Sequence, residues 1–196
     1  MARKPKPCPA SDVQPFCEEP EGSDDNTKTE IRLNVISQHS ETRAPASESF
    51  KFDDAFKIGN LIGHRALRTL GLNLLQHFAG SVEYNVPQIL LKGWTLLYAA
   101  SDISVIRALG GENEAPIGSL SYVYHLMDLG EAGPCHMDWQ SNFAFLRSSV
   151  DERLWAVHWT VNSSNEWVIG AVYVPHPALD WRFNSRVFGG RMQSSC

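Results

Sequence analysis

The residues with the most evident chemical potential lie in the segment PCHMD, at positions 134–138. Cysteine catalysis requires a thiolate, a histidine that generates it and a third group that orients the imidazole ring. Cys135 is the cysteine placed away from both termini, and His136 would point away from it in an extended chain. His158 is therefore the better base, with Asp138 as a candidate orienting group. These residues suggest a small thiol-dependent hydrolase or transferase as one alternative.

Metal binding and acid–base catalysis draw on the same region. Zinc-ligating atoms are offered by His125, Cys135, His136, Asp138 and His158. Their spacing forms no zinc knuckle, and neither CxxC nor HExxH occurs in the chain. We therefore predict no metal ion and no cofactor. Asp128, Glu131 and Asp138 lie near glycines, where carboxylates usually bond their own backbone and close turns.

The C-terminal segment combines arginines with aromatic residues. Arg182, Arg186 and Arg191 alternate with aromatic side chains that include Trp181. Arginine can hold phosphate while aromatic rings stack on bases, so this tail suggests association with nucleic acid as a second alternative. The net charge of −5 disfavours it, because dedicated nucleic-acid binders usually carry a basic field.

Composition places the chain among soluble globular proteins. Of its 196 residues, 43% are hydrophobic and 20% are charged. The four cysteines are irregularly spaced, which indicates free thiols in a reducing cytoplasm rather than a secreted disulfide scaffold. The apolar runs are far shorter than the roughly 20 residues that span a bilayer, and the basic N-terminus lacks the apolar stretch of a signal peptide. We expect a cytoplasmic protein that does not enter a membrane.

Two compositional zones divide the chain. Residues 1–49 are rich in Pro, Ser, Asp and Glu, which predicts a disordered or linker-like head. Within it, apolar and polar residues alternate over 30–36, which predicts one short strand. Residues 50–196 are expected to form a single domain.

The periodicity of that domain predicts helices first and strands afterwards. Apolar residues recur every four positions over 60–80, and one face is apolar over 95–109, so we expect a helix in each segment. Residues 119–130, rich in Tyr and Val, are expected to be a strand, as are those at 141–148. The predicted fold is α+β, with two N-terminal helices packed on a mainly antiparallel sheet that ends in a Trp-rich β-hairpin.

The hairpin flanking NSSN is the strongest local signal in the chain. If Val161 pairs with Trp167, the tryptophans and their aliphatic neighbours share one face, and His158 lies opposite Gly170. A loop shorter by one residue would place His158 opposite Ile169 instead. We prefer the first register, and expect the hairpin to be covered on both faces because neither face is strongly polar.

A non-enzymatic binding or interaction protein is the leading functional hypothesis. No catalytic motif stands out from the background, whereas six tryptophans and five tyrosines suit an interface as well as a core. We expect the partner to be another protein. The sequence leaves open whether the chain is an enzyme.

Overall fold

The computed structural model of the chain describes residues 35–176 and 180–191. Its strands are β1 (Ile36–Ala44), β2 (Ser47–Lys51), β3 (Leu61–Ile62), β4 (Arg65–Leu70), β5 (Val82–Val86), β6 (Ile89–Leu96), β7 (Ala100–Ser101), β8 (Asn142–Arg147), β9 (Leu154–Val161), β10 (Trp167–Tyr173), β11 (Asp180–Trp181) and β12 (Arg186–Arg191). Its helices are α1 (Phe52–Ala55), α2 (Leu72–Phe78), α3 (Asp102–Ala108) and α4 (Leu120–Asp128). The described chain is therefore mostly β, and the predicted α+β class is wrong.

A mixed eight-stranded sheet organises the fold, in the order β1-β6-β12-β8-β9-β10-β4-β3. β12 is parallel to β8 and β10 is parallel to β4, while the remaining neighbours are antiparallel. The last strand of the described chain, β12, inserts between β6 and β8. The Trp-rich hairpin thus lies inside the sheet, not at its end. The pairs β2–β5 and β7–β11 form two small additional sheets.

Each face of the large sheet carries its own apolar core. On β9, Trp155 and Trp159 belong to one core and Ala156 to the other, as expected because successive side chains of a strand point to opposite faces. The first core, which also contains α2 and α4 residues, is called here the Trp159 core, and the second, which contains Trp181, the Trp181 core. The hairpin is covered on both faces, as predicted.

The predicted helix over 60–80 is wrong, because the segment reverses direction at its fourth and fifth residues. Gly63 and His64 adopt φ angles of 56° and 70°, which make a tight turn between β3 and β4. A side chain at position 63 would be blocked, since its Cβ would lie 2.6 Å from the Met127 carbonyl oxygen. The following residues alternate as a strand, with Arg65 and Leu67 buried, and only Leu72–Phe78 is helical.

The second predicted helix begins seven residues too early. The segment from 95 continues β6 through Leu96, and α3 starts only after Ser101, whose hydroxyl accepts a hydrogen bond from the Ser104 amide. The strand predicted over 119–130 is also wrong, because this segment forms the helix α4. Ser119 caps α4, and Val123 and Leu126 lie on its buried side, spaced as a helix requires.

The predicted hairpin register is confirmed. Val161 pairs with Trp167, and His158 pairs with Gly170. The strand predicted at 141–148 is confirmed as β8. The strand predicted over 30–36 and the disordered head lie mostly outside the described residues, while the boundary expected near residue 50 falls within β2.

Candidate functional site

Cys135 lies inside the Trp159 core, with only 4% of its surface exposed. Its Sγ atom lies 3.5 Å from the Leu126 carbonyl oxygen, to which it donates. Burial raises the pKa of the thiol to about 12, against smaller opposing effects of the Trp159 side chain and the Arg186 guanidinium. The thiol is therefore protonated at neutral pH, which is the form without nucleophilic reactivity.

His158 lies on the opposite face of the sheet from Cys135. It precedes Trp159 on β9, so its ring points toward the Trp181 core, where it lies 6.1 Å from the Trp181 ring. Burial lowers the pKa of the imidazole and keeps it neutral. The structure does not bring the thiol and the imidazole together, and the sheet separates them.

The ring of His158 itself occupies the space above Gly170. An added Cβ at position 170 would lie 2.9 Å from the imidazole Nε2 atom. The glycine therefore accommodates a side chain of the same hairpin.

Asp138 closes a turn beside the end of β9. Its carboxylate accepts a hydrogen bond from the Gln140 amide, at 2.8 Å. Its carbonyl oxygen accepts from the Val161 amide at 3.1 Å and from the Thr160 hydroxyl at 3.0 Å. These contacts fix the loop 134–138 against the sheet, and none of them joins Asp138 to His158.

The candidate binding residues of the tail do not form one surface. Trp181 is buried, stacks on Phe143 with ring centroids 3.9 Å apart, and donates from Nε1 to the Asp102 carboxylate at 2.6 Å. Arg182 is exposed, whereas Arg186 is partly buried and donates to the Pro134 carbonyl oxygen. The side chain of Arg191 lies outside the description.

Within residues 35–176 and 180–191, no three His, Cys, Asp or Glu side chains are grouped as metal ligands. The sequence candidates are dispersed: His125 Nε2 lies 3.1 Å from the Arg43 carbonyl oxygen, His136 Nε2 lies 2.7 Å from that of Asn184, and Cys135 is in the core. Zinc sites bring three or four such ligands within about 2.3 Å of one point.

A cleft of about 820 Å³ lies between β5 and the loop that precedes α4. Sequence reasoning did not identify it. It is lined by Glu83, Tyr84, Asn85, Val86, Pro87, Ile89, Asn113, Glu114, Pro116, Ile117, Gly118, Ser119, Tyr122 and Gly190. We call it the Tyr84 cleft. Its size is typical of sites that bind a drug-sized ligand or a few side chains.

Glu83 joins the two walls of the Tyr84 cleft. Its carboxylate accepts from the amides of Leu120 at 2.9 Å and Ser121 at 3.3 Å, and from the hydroxyl of Ser119. These amides are among those at the start of α4 that lack a partner within the helix, and a negative charge is favourable at this end of the helix dipole. The carboxylate thus holds β5 against α4 and fixes the shape of the cleft.

Aromatic and acidic groups give the cleft its chemistry. Tyr84 is 71% exposed, so its ring is accessible to a ligand. The Tyr122 hydroxyl donates to the Pro87 carbonyl oxygen at 2.6 Å, and burial and the Glu83 charge both raise the pKa of this phenol. Glu83 and Glu114 are acidic, and the described residues of the lining include no Lys, Arg or His. The cleft is therefore suited to a ligand that is partly apolar and carries positive charge.

One sequence signal for this site was available. Ser119 followed by apolar residues at helical spacing indicates the start of a helix, and would have placed the 113–119 loop correctly. The partnership with Glu83 carries no local signal, because 36 positions separate it from Ser119.

Among the described residues no helix is both long enough and apolar enough to cross a bilayer. Comparisons of the chain with family models, with curated proteins and with solved structures give no match.

Proposed function

We propose that this protein is a binding protein without catalytic activity of its own, which holds a short segment of a protein partner in the Tyr84 cleft. The observation that carries the proposal is the cleft itself, about 820 Å³ in volume, with an exposed tyrosine at its rim. Tyrosine is enriched at binding hot spots because it contributes a large contact area and a polar tip for little loss of conformational entropy.

The charge of the cleft indicates the chemistry of the partner. Among its described lining residues are two carboxylates and no basic side chain, and the whole chain carries a net charge of −5. A lysine or arginine of the partner would be attracted to Glu114 and to the faces of the tyrosine rings. An apolar side chain beside it would contact Val86, Ile89 and Ile117. We therefore propose a partner segment in which a basic residue adjoins an apolar one.

The two alternative functions have less support. A thiol enzyme would need the Cys135 thiolate, but the thiol is buried and its pKa is raised to about 12. A nucleic-acid surface would need Trp181 exposed beside the arginines, but this ring is stacked inside a core. The free thiol of Cys135 fits a reducing compartment, and we propose that the protein works in the cytoplasm.

Selection of peptides from a random-sequence display library on the immobilised protein tests the proposal. We expect enriched peptides to share a basic residue next to an apolar one. Tyr84→Ala should weaken their binding about tenfold or more, the loss expected when an aromatic hot spot is removed. Tyr98→Ala is the matched control, because Tyr98 is 54% exposed but lies outside the cleft.

A charge test separates the acidic cleft from general electrostatic attraction. Glu114→Lys should weaken the same peptides more than Glu112→Lys, since both residues are exposed but only Glu114 lines the cleft. Enrichment of acidic peptides, or equal losses for Tyr84→Ala and Tyr98→Ala, would refute the assignment of the cleft.

A further inference from the structure

Three potentially cationic side chains gather above the loop that contains Cys135. Arg186, at the start of β12, donates from Nη1 to the Pro134 carbonyl oxygen. His39 lies on β1, which β6 separates from β12, and its Nε2 atom is 3.4 Å from the same oxygen. His136 follows in the loop, and its Nε2 lies 2.7 Å from the Asn184 carbonyl oxygen. We call Arg186, His39 and His136 the Arg186 cluster.

The guanidinium of Arg186 lacks an acidic partner. None of the ion pairs in the described part of the chain includes it, and its Nε atom is buried without a hydrogen-bond partner. Burial lowers the pKa of the guanidinium, while Cys135 and Asp138 oppose this effect. The Asp138 carboxylate is itself directed to the Gln140 amide. A partly buried positive charge without a paired anion is unfavourable, and a bound anion would relieve the cost.

Both histidines respond to the same charge. Burial is the largest cause that lowers the pKa of His39 and of His136, and the Arg186 guanidinium lowers both further. His136 adds to the effect on His39, whereas Asp138 raises the pKa of His136. An anion bound beside Arg186 would reverse these electrostatic contributions, and protonated rings would then add to its binding.

The hydrogen bonds define which ring nitrogen donates. A carbonyl oxygen can only accept, so His39 Nε2 carries the proton toward Pro134, and Nδ1 can accept from the Thr95 hydroxyl at 3.4 Å. The ring is exposed, and it approaches β6 closely because Gly93 has no side chain: a Cβ there would lie 2.9 Å from His39 Cε1. One side of the cluster is therefore open to solvent.

We propose that the Arg186 cluster binds a dianionic phosphate group. A guanidinium fork matches the oxygens of phosphate, and the exposed ring of His39 lies beside the same loop carbonyl as the guanidinium. This site is independent of the Tyr84 cleft, since the two share no residue.

Titration of the full chain with sodium phosphate, followed through the histidine ring signals in NMR spectra, tests the proposal. Sodium chloride at matched ionic strength is the control. We expect phosphate to raise the apparent pKa of His39 and His136 and to leave His158, on the other face of the sheet, unchanged. The binding measurement is made near pH 7.5, where phosphate is mainly dianionic. The absence of a phosphate-specific shift at both rings would overturn the proposal.

Variants assign the binding to Arg186. Arg186→Met should weaken phosphate at least tenfold, whereas Arg182→Met, at an exposed arginine four positions earlier, should have no effect. If Arg186→Met does not fold, His39→Gln replaces an exposed ring and should weaken phosphate binding several-fold. Equal binding by the wild type and the folded variants would overturn the assignment.

Two further ligands, phosphoserine and acetate, test which chemical form of the anion is bound. Inorganic phosphate and phosphoserine should both shift His39 and His136, and tighter binding of phosphoserine would identify a phosphate ester as the preferred form. Acetate that shifts the two rings as strongly as phosphate at the same concentration would overturn the assignment to a dianion.

Discussion

Replacement of Gly170 by alanine should destabilise the protein through the ring of His158. The new Cβ would lie 2.9 Å from Nε2 and 3.1 Å from Cε1 of that ring, whereas ordinary contacts between such atoms are about 3.5 Å or more. The ring must move by about 0.5 Å, but it is mostly enclosed, with the Trp181 ring 6.1 Å away. Overpacking of this kind typically costs about 1–3 kcal/mol, partly offset by about 0.4–1 kcal/mol from the stiffer unfolded chain.

Urea unfolding of four proteins measures this effect: wild type, Gly170→Ala, His158→Ala and the double variant. We expect Gly170→Ala to lower the free energy of unfolding by about 1–2 kcal/mol. In the His158→Ala background the same change should cost little, because the obstructing ring is gone, which gives a coupling of about 1 kcal/mol. The coupling depends on the register in which His158 opposes Gly170. Additive effects would refute that register, and with it the separation of His158 from Cys135 by the sheet.

Three further outcomes are expected. Glu83→Ala should lower the free energy of unfolding by about 1–2 kcal/mol in urea titrations, because the amides at the start of α4 lose their carboxylate acceptor. An unchanged urea midpoint would contradict this role of Glu83. Cys135 should resist iodoacetamide in the native protein at neutral pH and react after denaturation, as peptide mass spectrometry can show; rapid native labelling would contradict its burial. Burial lowers the pKa of His158 below 6.5, so as the pH falls this histidine is protonated in the unfolded chain before it is protonated in the folded protein. The free energy of unfolding should therefore decrease below about pH 6.5, by up to about 1.4 kcal/mol per pH unit. The decrease should be less steep in His158→Gln. Equal slopes in the two proteins would exclude His158 as the cause.

The hairpin could be predicted because its signals are local. The NSSN loop separates two strands whose aromatic residues sort onto one face in only one register, and β9 and β10 pair in that register. The helices could not be predicted in the same way. The four-residue apolar spacing over 60–80 is interrupted by a turn at Gly63. Only glycine fits at this position, because the Met127 carbonyl oxygen of a helix distant in sequence lies too close for a side chain.

The sites depended on contacts that periodicity does not reveal. Cys135 and His158 seemed compatible because each lies in or near a strand, but the side to which each points is decided by tertiary packing. The Tyr84 cleft combines β5, the loop before α4 and Gly190, which are far apart in the chain. Arg186 was identified as a candidate from its type, while its neighbours His39 and Pro134 follow only from the strand order.

The most direct test of the binding proposal is to map a selected peptide onto the protein. Backbone amide signals of the labelled full chain would be followed during titration with a peptide enriched in the display experiment. We expect the largest changes at Tyr84, Asn85, Gly118 and Ser119, which line the cleft, and much smaller changes at the last three positions with Tyr84→Ala protein at the same peptide concentration. Changes concentrated elsewhere on the surface, with these four signals unaffected, would contradict the assignment of the Tyr84 cleft as the binding site.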